Sequence, residues 1–182
     1  MRLSNIVTRT GDAGKTSIGS GERVSKDHPR IHAMGAVDHL NSIIGWSVIE
    51  ASKIFKDDLK EIQNDLFDLG AELAVPSLDN LKLKKERLDW LDNKIKEINS
   101  KLEPLTEFIL PGGTEFASRL HIARTECRHA ERQVVPISTK SDNNQIPYLN
   151  RLSDYLFVAA RSVNSKKGQK ENMWKNKTSN EL

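Results

Sequence analysis

Residues 8–16 combine hydroxyls, cations, a carboxylate and two glycines in the sequence Thr-Arg-Thr-Gly-Asp-Ala-Gly-Lys-Thr. Glycines allow a loop to turn its backbone N–H groups toward an anion, and threonine, lysine and arginine side chains add hydrogen-bond donors and positive charge. This chemistry suits a bound polyphosphate. A flexible polar terminus would have a similar composition, so the interpretation as a phosphate loop depends on support from elsewhere in the chain.

The segment ends like a Walker A motif, in Gly14-Lys15-Thr16, but it does not meet the other requirements of that motif. The motif needs a glycine five positions before Gly14, where this chain has Arg9, and a helix directly afterwards. Residues 17–21, Ser-Ile-Gly-Ser-Gly, are typical of a loop instead. A P-loop kinase would also need a parallel sheet, of which the sequence shows no sign. The chain therefore predicts a phosphate-binding loop on another scaffold.

A row of polar residues lies on the predicted fourth helix, next to its apolar seam: His121, Arg124, Arg128, Glu131 and Arg132. Arginine side chains beside a core are costly to desolvate unless they meet carboxylates or phosphates. The row could be an ordinary solvated stripe, paired within the helix to Glu126 and Glu131. Polar residues of other helices favour a binding site instead: Asp38 on the first helix, and Asn150 and Asp154 at the start of the fifth.

The segment 108–114, Phe-Ile-Leu-Pro-Gly-Gly-Thr, leads into the fourth helix. Thr114 is predicted to cap that helix, with Glu115 in the first turn. The three large apolar residues before the turn fit either a plug in the core or the wall of a pocket. No histidine spacing is typical of a metal site, and Cys127, on the apolar seam, is predicted to be an inert core residue.

Apolar residues recur at steps of three and four in five segments, within residues 37–51, 59–73, 88–102, 116–134 and 149–163. Pro76, Pro104 and Pro136 are predicted to follow the ends of the second, third and fourth helices, and the fifth is predicted to begin after Pro147. No segment alternates convincingly as a strand would. The pattern predicts an all-α fold: an antiparallel five-helix bundle with an N-terminal nucleotide-binding loop.

The 182 residues predict a single domain, 1–182, in which residues 1–28 form the loop region. The polar tail, 169–182, is predicted to be frayed except where Trp174 anchors it. A net charge of +3 is too small to indicate nucleic acid, and no apolar run is long enough to span a membrane. A single cysteine and the lack of a signal-peptide core favour a cytoplasmic protein without nucleic-acid or membrane partners.

Five short blocks together resemble the PduO-type ATP:cob(I)alamin adenosyltransferases. They are Thr-Arg-Thr-Gly-Asp at 8–12, Gly-Ala-Val-Asp-His-Leu-Asn-Ser at 35–42, Phe-Ile-Leu-Pro-Gly-Gly at 108–113, Arg-Thr-Glu-Cys-Arg-His-Ala-Glu-Arg at 124–132 and Asn-Arg-Leu-Ser-Asp at 150–154. Each block is modestly specific, but the five occur in the family's order. The resemblance implies a five-helix bundle assembled as a homotrimer, with active sites between subunits. ATP would lie between the N-terminal loop of one subunit and the fourth-helix arginines of its neighbour.

The resemblance also implies a set of site residues. Those implied to hold ATP are Thr8, Arg9, Thr10, Gly11, Asp12, Gly14, Thr16, Ser17, Lys26, Arg128, Glu131, Arg132 and Asn150. In the catalytic set, Asp38 would pair with Arg124. Arg128 would act at the nucleotide, and Phe108 would face the corrinoid. No side chain is implied as a metal ligand, since Mg²⁺ would be held by the ATP phosphates.

In the implied reaction, cob(I)alamin attacks the 5′ carbon of ATP and expels triphosphate. Because reduced cobalt is itself a strong nucleophile, the protein would position the substrates and stabilise charge on the leaving oxygens. A corrinoid reductase and a cobalamin-dependent acceptor enzyme are implied as partners. The chain departs from the usual family pattern at Ala13, where glycine or lysine is common, and at His39, where glutamate is usual.

The alternative function is that of a non-catalytic, nucleotide-binding helical bundle that serves regulation or interaction. Such a module would explain the apolar seams of the helices. It would not explain why a phosphate-type loop and a row of arginines occur in the same chain.

Overall fold

A computed structural model of the chain describes residues 7–75, 83–138 and 144–175. Its helices are α1 (Pro29–Val48), α2 (Lys53–Ala74), α3 (Lys85–Asn99), α4 (Glu115–Val134) and α5 (Gln145–Lys166). A 3-10 turn, Val135–Ile137, follows α4, and two short strands precede α1. The predicted all-α five-helix bundle is confirmed. None of the described helices is long and apolar enough to cross a membrane.

The apolar seams of the helices meet in one core. Leu40, Leu59, Leu120 and Leu149 are fully buried in it, on four different helices. Cys127 belongs to the same core, where its thiol donates a hydrogen bond to the carbonyl of Leu149 at 3.1 Å. Burial raises the pKa of the Cys127 thiol well above its usual value, so the thiolate is disfavoured. The predicted inert role of this cysteine follows from that environment.

Three buried acids repeat every seven residues along α2: Asp58, Asp65 and Glu72. Asp58 accepts hydrogen bonds from Lys94 and Tyr155, and Asp65 accepts them from Arg87 and Tyr148. Glu72 accepts from Leu83 N and Gln145. These partners lie on α3, on α5 or in the chain next to them. Buried carboxylates are tolerated when charged or hydroxyl donors satisfy them. Since both tyrosines are also seven residues apart, the pairs require α2 and α5 to run antiparallel in one register.

Some predicted helix boundaries were wrong. Helix α5 begins at Gln145, so Pro147 lies inside its first turn, where a backbone N–H has no partner within the helix and proline is tolerated. Ala51 and Leu102 lie beyond the ends of α1 and α3, although both are partly buried. Turn residues can pack on a core without being helical, so the apolar spacing extended past the helix ends. Pro76 lies outside the described residues.

A small β-hairpin precedes α1, which the sequence did not predict. Strands β1 (Lys15–Ser17) and β2 (Arg23–Ser25) pair antiparallel, with Thr16 opposite Val24. Three residues per strand are too few to reveal an alternation. The hairpin rests on the end of α2, because Ile18 is buried and Gly19 N donates to Ala74 O at 2.9 Å. The loop at residues 8–14 is therefore carried by a folded element.

Candidate active site

The N-terminal loop winds tightly at its glycines. Gly14 has a φ of 74°, and its N–H bonds the carbonyl of Gly11 at 3.2 Å. Arg9 has a φ of 56°, a left-handed conformation that costs a non-glycine residue energy. Strained backbone of this kind is frequent at ligand sites. From β2, Arg23 supports the turn by donating to the carbonyl of Thr10 at 2.8 Å.

The side chains of this loop are open to solvent. Thr8 and Thr10 bond each other through their hydroxyls at 3.0 Å, and neither is buried. Lys26 lies across the loop: its Nζ would stand 3.1 Å from a Cβ added to Gly11, and its N–H bonds Gly14 O at 2.9 Å. Among the described residues, no ion pair occupies Arg9 or Lys26. Two cations without internal partners beside exposed hydroxyls can accept an anion.

The side chains of the remaining predicted loop residues form no ion pair within the described part of the chain. Asp12 and Ser17 are exposed, and Thr16 is half-buried in β1. Asp12 is the carboxylate of this segment, and its N–H bonds the carbonyl of Arg9 at 3.4 Å. Ala13 is exposed as well, so its departure from the usual family pattern meets no packing constraint.

On α4, Arg128 and Arg132 are exposed and Glu131 is half-buried. Asn150 of α5 donates to Glu131 Oε1 at 3.3 Å, so two of the predicted site residues meet. Burial raises the pKa of Asp154 above its usual value, and the positive charge of Arg128 opposes that rise. The arginines thus border a polar patch formed by two neighbouring helices.

Helices α1 and α4 run antiparallel, because Arg119 Nη1 donates to Trp46 O at 2.7 Å and His39 Nδ1 lies 3.5 Å from Glu126 Oε2. The start of α1, which follows the loop, therefore lies at the same end of the bundle as Arg132. Within the described part of a single chain, however, no hydrogen bond or ion pair joins the loop to the arginines of α4. One chain presents both groups without bringing them together.

Asp38 and Arg124 do not form the predicted pair within one chain. Asp38 is exposed, and no ion pair among the described residues includes it. Arg124 is half-buried, and its Nε lacks a hydrogen-bond partner among the described residues. Its guanidinium stands 6.0 Å from the ring centre of Phe157. Burial and the charge of Arg128 lower the pKa of Arg124. His39, the other departure from the usual family pattern, faces Glu126 instead of this network.

Phe108 lines a cavity of about 490 Å³ beside α4. The cavity is walled by Leu105, Thr106, Glu107, Phe108, Ile109, Pro111, His121, Arg124 and Phe157. Phe108 is 78% exposed, which excludes a plug in the core. Of the two alternatives from the sequence, the wall of a pocket is therefore favoured. An open, largely apolar cavity bordered by arginine can hold a large ring with a polar rim.

The Pro-Gly-Gly turn that ends this segment is fixed by Asn164 of α5. The side chain of Asn164 accepts from Thr114 N at 3.0 Å and donates to Gly112 O at 2.9 Å. Gly113 has a φ of 109°, and a side chain there would overlap Asn164. Thr114 also caps α4 as predicted, accepting from Ala117 N at 3.2 Å. The turn therefore sets where the Phe108 segment leaves α4.

Trp174 anchors the tail as predicted, but the neighbouring residues 172 and 173, predicted to be frayed, also pair with the Phe108 segment. Trp174 N donates to Phe108 O at 2.7 Å, and Leu110 N donates to Asn172 O at 2.8 Å. Arg161 holds the tail through Glu171 at 2.7 Å. Backbone pairing outweighs the polar composition on which the prediction was based. Residues 176–182 lie outside the described part of the chain.

Sequence reasoning missed Phe157, which lines this cavity, and Arg161 and Asn164, which hold the segments around it. Phe157 and Arg161 lie on α5 beside its apolar seam, and no motif in the sequence indicates what they contact. Asn164 gave no signal because its partners precede it by about fifty positions in the chain. His121 was visible on the arginine row, but its 4% exposure depends on the packing of the Phe108 segment and Phe157 around it.

Comparisons with known proteins agree with this architecture. Residues 6–163 match the family model described as cobalamin adenosyltransferase. The chain is 47% identical over 177 residues to a cobalamin adenosyltransferase of Cupriavidus metallidurans, covering 95% of both chains. It is 43% identical over 171 residues to the corrinoid adenosyltransferase of Bacillus subtilis, covering 90% of this chain and 88% of that one.

A solved structure has the same fold. It is a phenylalanine-to-alanine variant of a PduO-type ATP:corrinoid adenosyltransferase from Lactobacillus reuteri, complexed with cobalamin and ATP. The two structures align with a TM-score of 0.89 at 38% sequence identity, and the alignment covers 94% of this chain and 100% of that chain. The fold is therefore that of the PduO-type adenosyltransferases. The chain belongs to the cobalamin adenosyltransferase family.

Proposed function

We propose that this protein transfers the 5′-deoxyadenosyl group of ATP to the cobalt of cob(I)alamin, giving adenosylcobalamin and triphosphate. The observation that carries the proposal is the order of groups along α4. The apolar cavity with Phe108 lies beside Arg124, and the exposed Arg128 and Arg132 follow on the next turns. This order would put a corrinoid face beside a polyphosphate site, as a transfer between these two substrates requires.

The reaction needs no nucleophile from the protein. The electron pair of Co(I) forms the bond to the 5′ carbon while the carbon–oxygen bond of ATP breaks, and the leaving triphosphate takes that bond's electrons. Arginine side chains can make two parallel hydrogen bonds to phosphate oxygens, which favours the charge that develops there. We assign this role to Arg128 and Arg132, and substrate positioning to the N-terminal loop.

Mg²⁺ is proposed to accompany ATP. Residues 8–17 offer hydroxyls, N–H groups and cations, with Asp12 as their carboxylate. This donor set fits a phosphate-bound ion that keeps its own waters better than an ion held in a cage of protein carboxylates. Thr8, Thr10 and Thr16 would then contact phosphate or water of the Mg²⁺–ATP complex.

We propose a homotrimer with active sites between subunits. The proposal is supported by two incomplete halves within the described part of each chain. These are the loop cations without ion-pair partners and the α4 arginines that the loop does not reach. Exposed Asp38 and the unpartnered Nε of Arg124 would complete each other across the same interface. The assembly would thereby satisfy groups that a single chain leaves unpaired.

The chemistry implies two further partners. A reductase must supply the Co(I) state, and a cobalamin-dependent enzyme would consume the adenosylated product. The cytoplasm is the proposed compartment, since the sequence has one cysteine and this is buried as a thiol. Nucleic acid and membrane surfaces are not proposed as partners.

The direct test mixes the protein anaerobically with chemically reduced cobalamin and Mg²⁺–ATP and follows the visible spectrum. We expect the Co(I) spectrum to give way to that of adenosylcobalamin, with one triphosphate released per corrinoid. A non-catalytic nucleotide-binding module would bind ATP in a calorimeter but leave the spectrum unchanged, and that result would refute the proposal.

A further inference from the structure

The chain that follows α5 runs back along the segment that carries Phe108. Trp174 N donates to Phe108 O at 2.7 Å, Leu110 N donates to Asn172 O at 2.8 Å, and an antiparallel bridge lies between these two bonds. Phe108 is 78% exposed, so packing in the core does not fix its position. Its backbone is held instead by residues 172–174 on one side and by the turn at Asn164 on the other.

Arg161 of α5 anchors this tail. Its Nε donates to Glu171 Oε1 at 2.7 Å and its Nη2 to Glu171 Oε2 at 3.2 Å, the forked geometry in which a guanidinium meets a carboxylate. Nη2 also donates at 2.8 Å to the carbonyl of Glu103, in the chain that leads to Phe108. Arg161 is 4% exposed, and bonds shielded from water are electrostatically stronger than bonds on the surface. One buried guanidinium thus joins the tail to the chain that precedes the Phe108 segment.

Glu171 also reaches the space behind the Phe108 segment. A cleft of about 10 Å³, with room for about one water, is lined by Ile109, His121 and Glu171 among others, and His121 lines the cavity that Phe108 walls as well. Burial and then the charge of Arg124 lower the pKa of His121 to about 4, and the negative charge of Glu171 opposes this shift. The tail is therefore packed against the wall of the cavity.

We propose that Arg161 and Glu171 are positioning residues for the transfer reaction, which act by holding Phe108 in the place of the corrinoid's lower ligand. This inference rests on the proposed function and extends its residues to the tail. Cobalt without a lower ligand is four-coordinate, and in that state Co²⁺ is reduced more easily to the nucleophilic Co⁺. A segment free to shift by about an ångström would let the ligand return, and displacements of that size can lower a rate by on the order of 10²-fold.

The test measures Glu171→Gln, which keeps the size of the side chain but removes its charge and one acceptor oxygen. With Co²⁺ corrinoid, ATP and reduced flavin mononucleotide as electron donor, turnover should fall roughly ten- to hundredfold. The electron paramagnetic resonance signal of four-coordinate cobalt, which the wild type should give with ATP, should weaken in the variant. With chemically reduced Co⁺ corrinoid, turnover should change by less than about threefold, and the KM for ATP should stay unchanged.

Two comparisons show whether the effect passes through Phe108. In a Phe108→Ala background, Glu171→Gln should have little further effect on turnover from Co²⁺, because the side chain that it positions is gone. Asp92→Asn is the matched control. Asp92 accepts from another arginine of α5, with both carboxylate oxygens 2.9 Å from Arg151 Nε, and neither residue lines the cavity. This control should leave turnover from either oxidation state unchanged.

A second variant tests the inference even if Glu171→Gln fails to fold. Trp174→Pro removes the N–H that bonds Phe108 O and changes neither member of the ion pair, so it should reproduce the loss with Co²⁺. Trp174→Ala keeps that N–H and should lose much less.

The inference is overturned if Glu171→Gln or Trp174→Pro keeps the four-coordinate signal, or lowers turnover from Co²⁺ and from Co⁺ equally. It is also overturned if the losses of Glu171→Gln and Phe108→Ala add, or if Phe108→Ala itself keeps the signal. In each of these cases a wild type that adenosylates Co⁺ corrinoid leaves the proposed function standing. A wild type that adenosylates no corrinoid overturns the proposed function itself, and this inference with it.

Discussion

Phe108→Ala should separate catalysis from stability, because Phe108 is 78% exposed. An exposed side chain away from the core contributes little to folding, so we expect the free energy of unfolding to change by less than about 0.5 kcal/mol. Phe116→Ala is the matched control. Phe116 is 6% exposed, and its ring packs edge-to-face against Phe55 with centroids 5.8 Å apart. Its removal should cost roughly 3–5 kcal/mol in a denaturant titration of the same protein.

The effect of Phe108→Ala on the reaction should depend on the oxidation state of the starting corrinoid. If the ring occupies the space of the corrinoid's lower ligand, cobalt without that ligand is easier to reduce from Co²⁺ to Co⁺. Turnover should then fall more when a reductase must act on Co²⁺ than when chemically reduced Co⁺ is supplied, with ATP affinity kept. With Co²⁺ corrinoid and ATP, the wild type should give the electron paramagnetic resonance signal of four-coordinate cobalt. Phe108→Ala should lose that signal. An unchanged signal, or a stability loss as large as that of Phe116→Ala, would refute this reasoning.

Four further predictions concern other parts of the molecule. Arg128→Lys should lower turnover by on the order of 10²-fold, because lysine cannot present two parallel donors to a phosphate; a few-fold change would place Arg128 outside the site. Asp38→Asn should weaken catalysis, and a double-mutant cycle with Arg124→Ala should give a coupling of roughly 0.5–3 kcal/mol, whereas additive losses would mean that the two residues do not interact. Light scattering should report a trimer, and a stable, fully active monomer would contradict the proposed assembly. Asp65→Ala should destabilise the bundle by roughly 3–5 kcal/mol in denaturant, because it strands the half-buried Arg87 that bonds Asp65 at 2.8 Å, and a loss below about 1 kcal/mol would show that the pair is dispensable.

The helices could be predicted because each carries its own apolar seam. Leu59, Ile62 and Leu66, at steps of three and four, are all buried as their spacing indicates. The cap at Thr114 could be predicted in the same way, because a hydroxyl just before a helix can accept a hydrogen bond from a backbone N–H of the first turn. Predictions of this kind succeed where the information lies within one turn or two of the residue concerned.

The parts that could not be predicted depend on residues far apart in the chain. Arg161 bonds Glu171, which follows it in the chain, and the carbonyl of Glu103, which precedes it by 58 positions. These two bonds hold the tail beside the Phe108 segment. No ion pair among the described residues includes Asp38, so its partner could not be read from one chain. His121 and Arg128 occupy the same row, yet one is buried and the other exposed, because only the former is covered by the segment that leads to Pro111.

The distribution of unpaired polar atoms shows how the bundle divides its tasks. Among the described residues, the buried side-chain atoms without a hydrogen-bond partner are Asn41 Oδ1, both ring nitrogens of His121, and Arg124 Nε. Three of these four atoms belong to α4 at the cavity, whereas the buried acids of α2 are all paired. Each unpaired atom costs roughly 1–3 kcal/mol, and water, substrate or a neighbouring subunit can recover that cost. The α2–α3–α5 side therefore stabilises and aligns the bundle through paired groups, while most of the unpaired buried atoms of the described residues lie on α4. Substitutions on the first side should change the free energy of unfolding, and substitutions on the second should change substrate affinity and assembly.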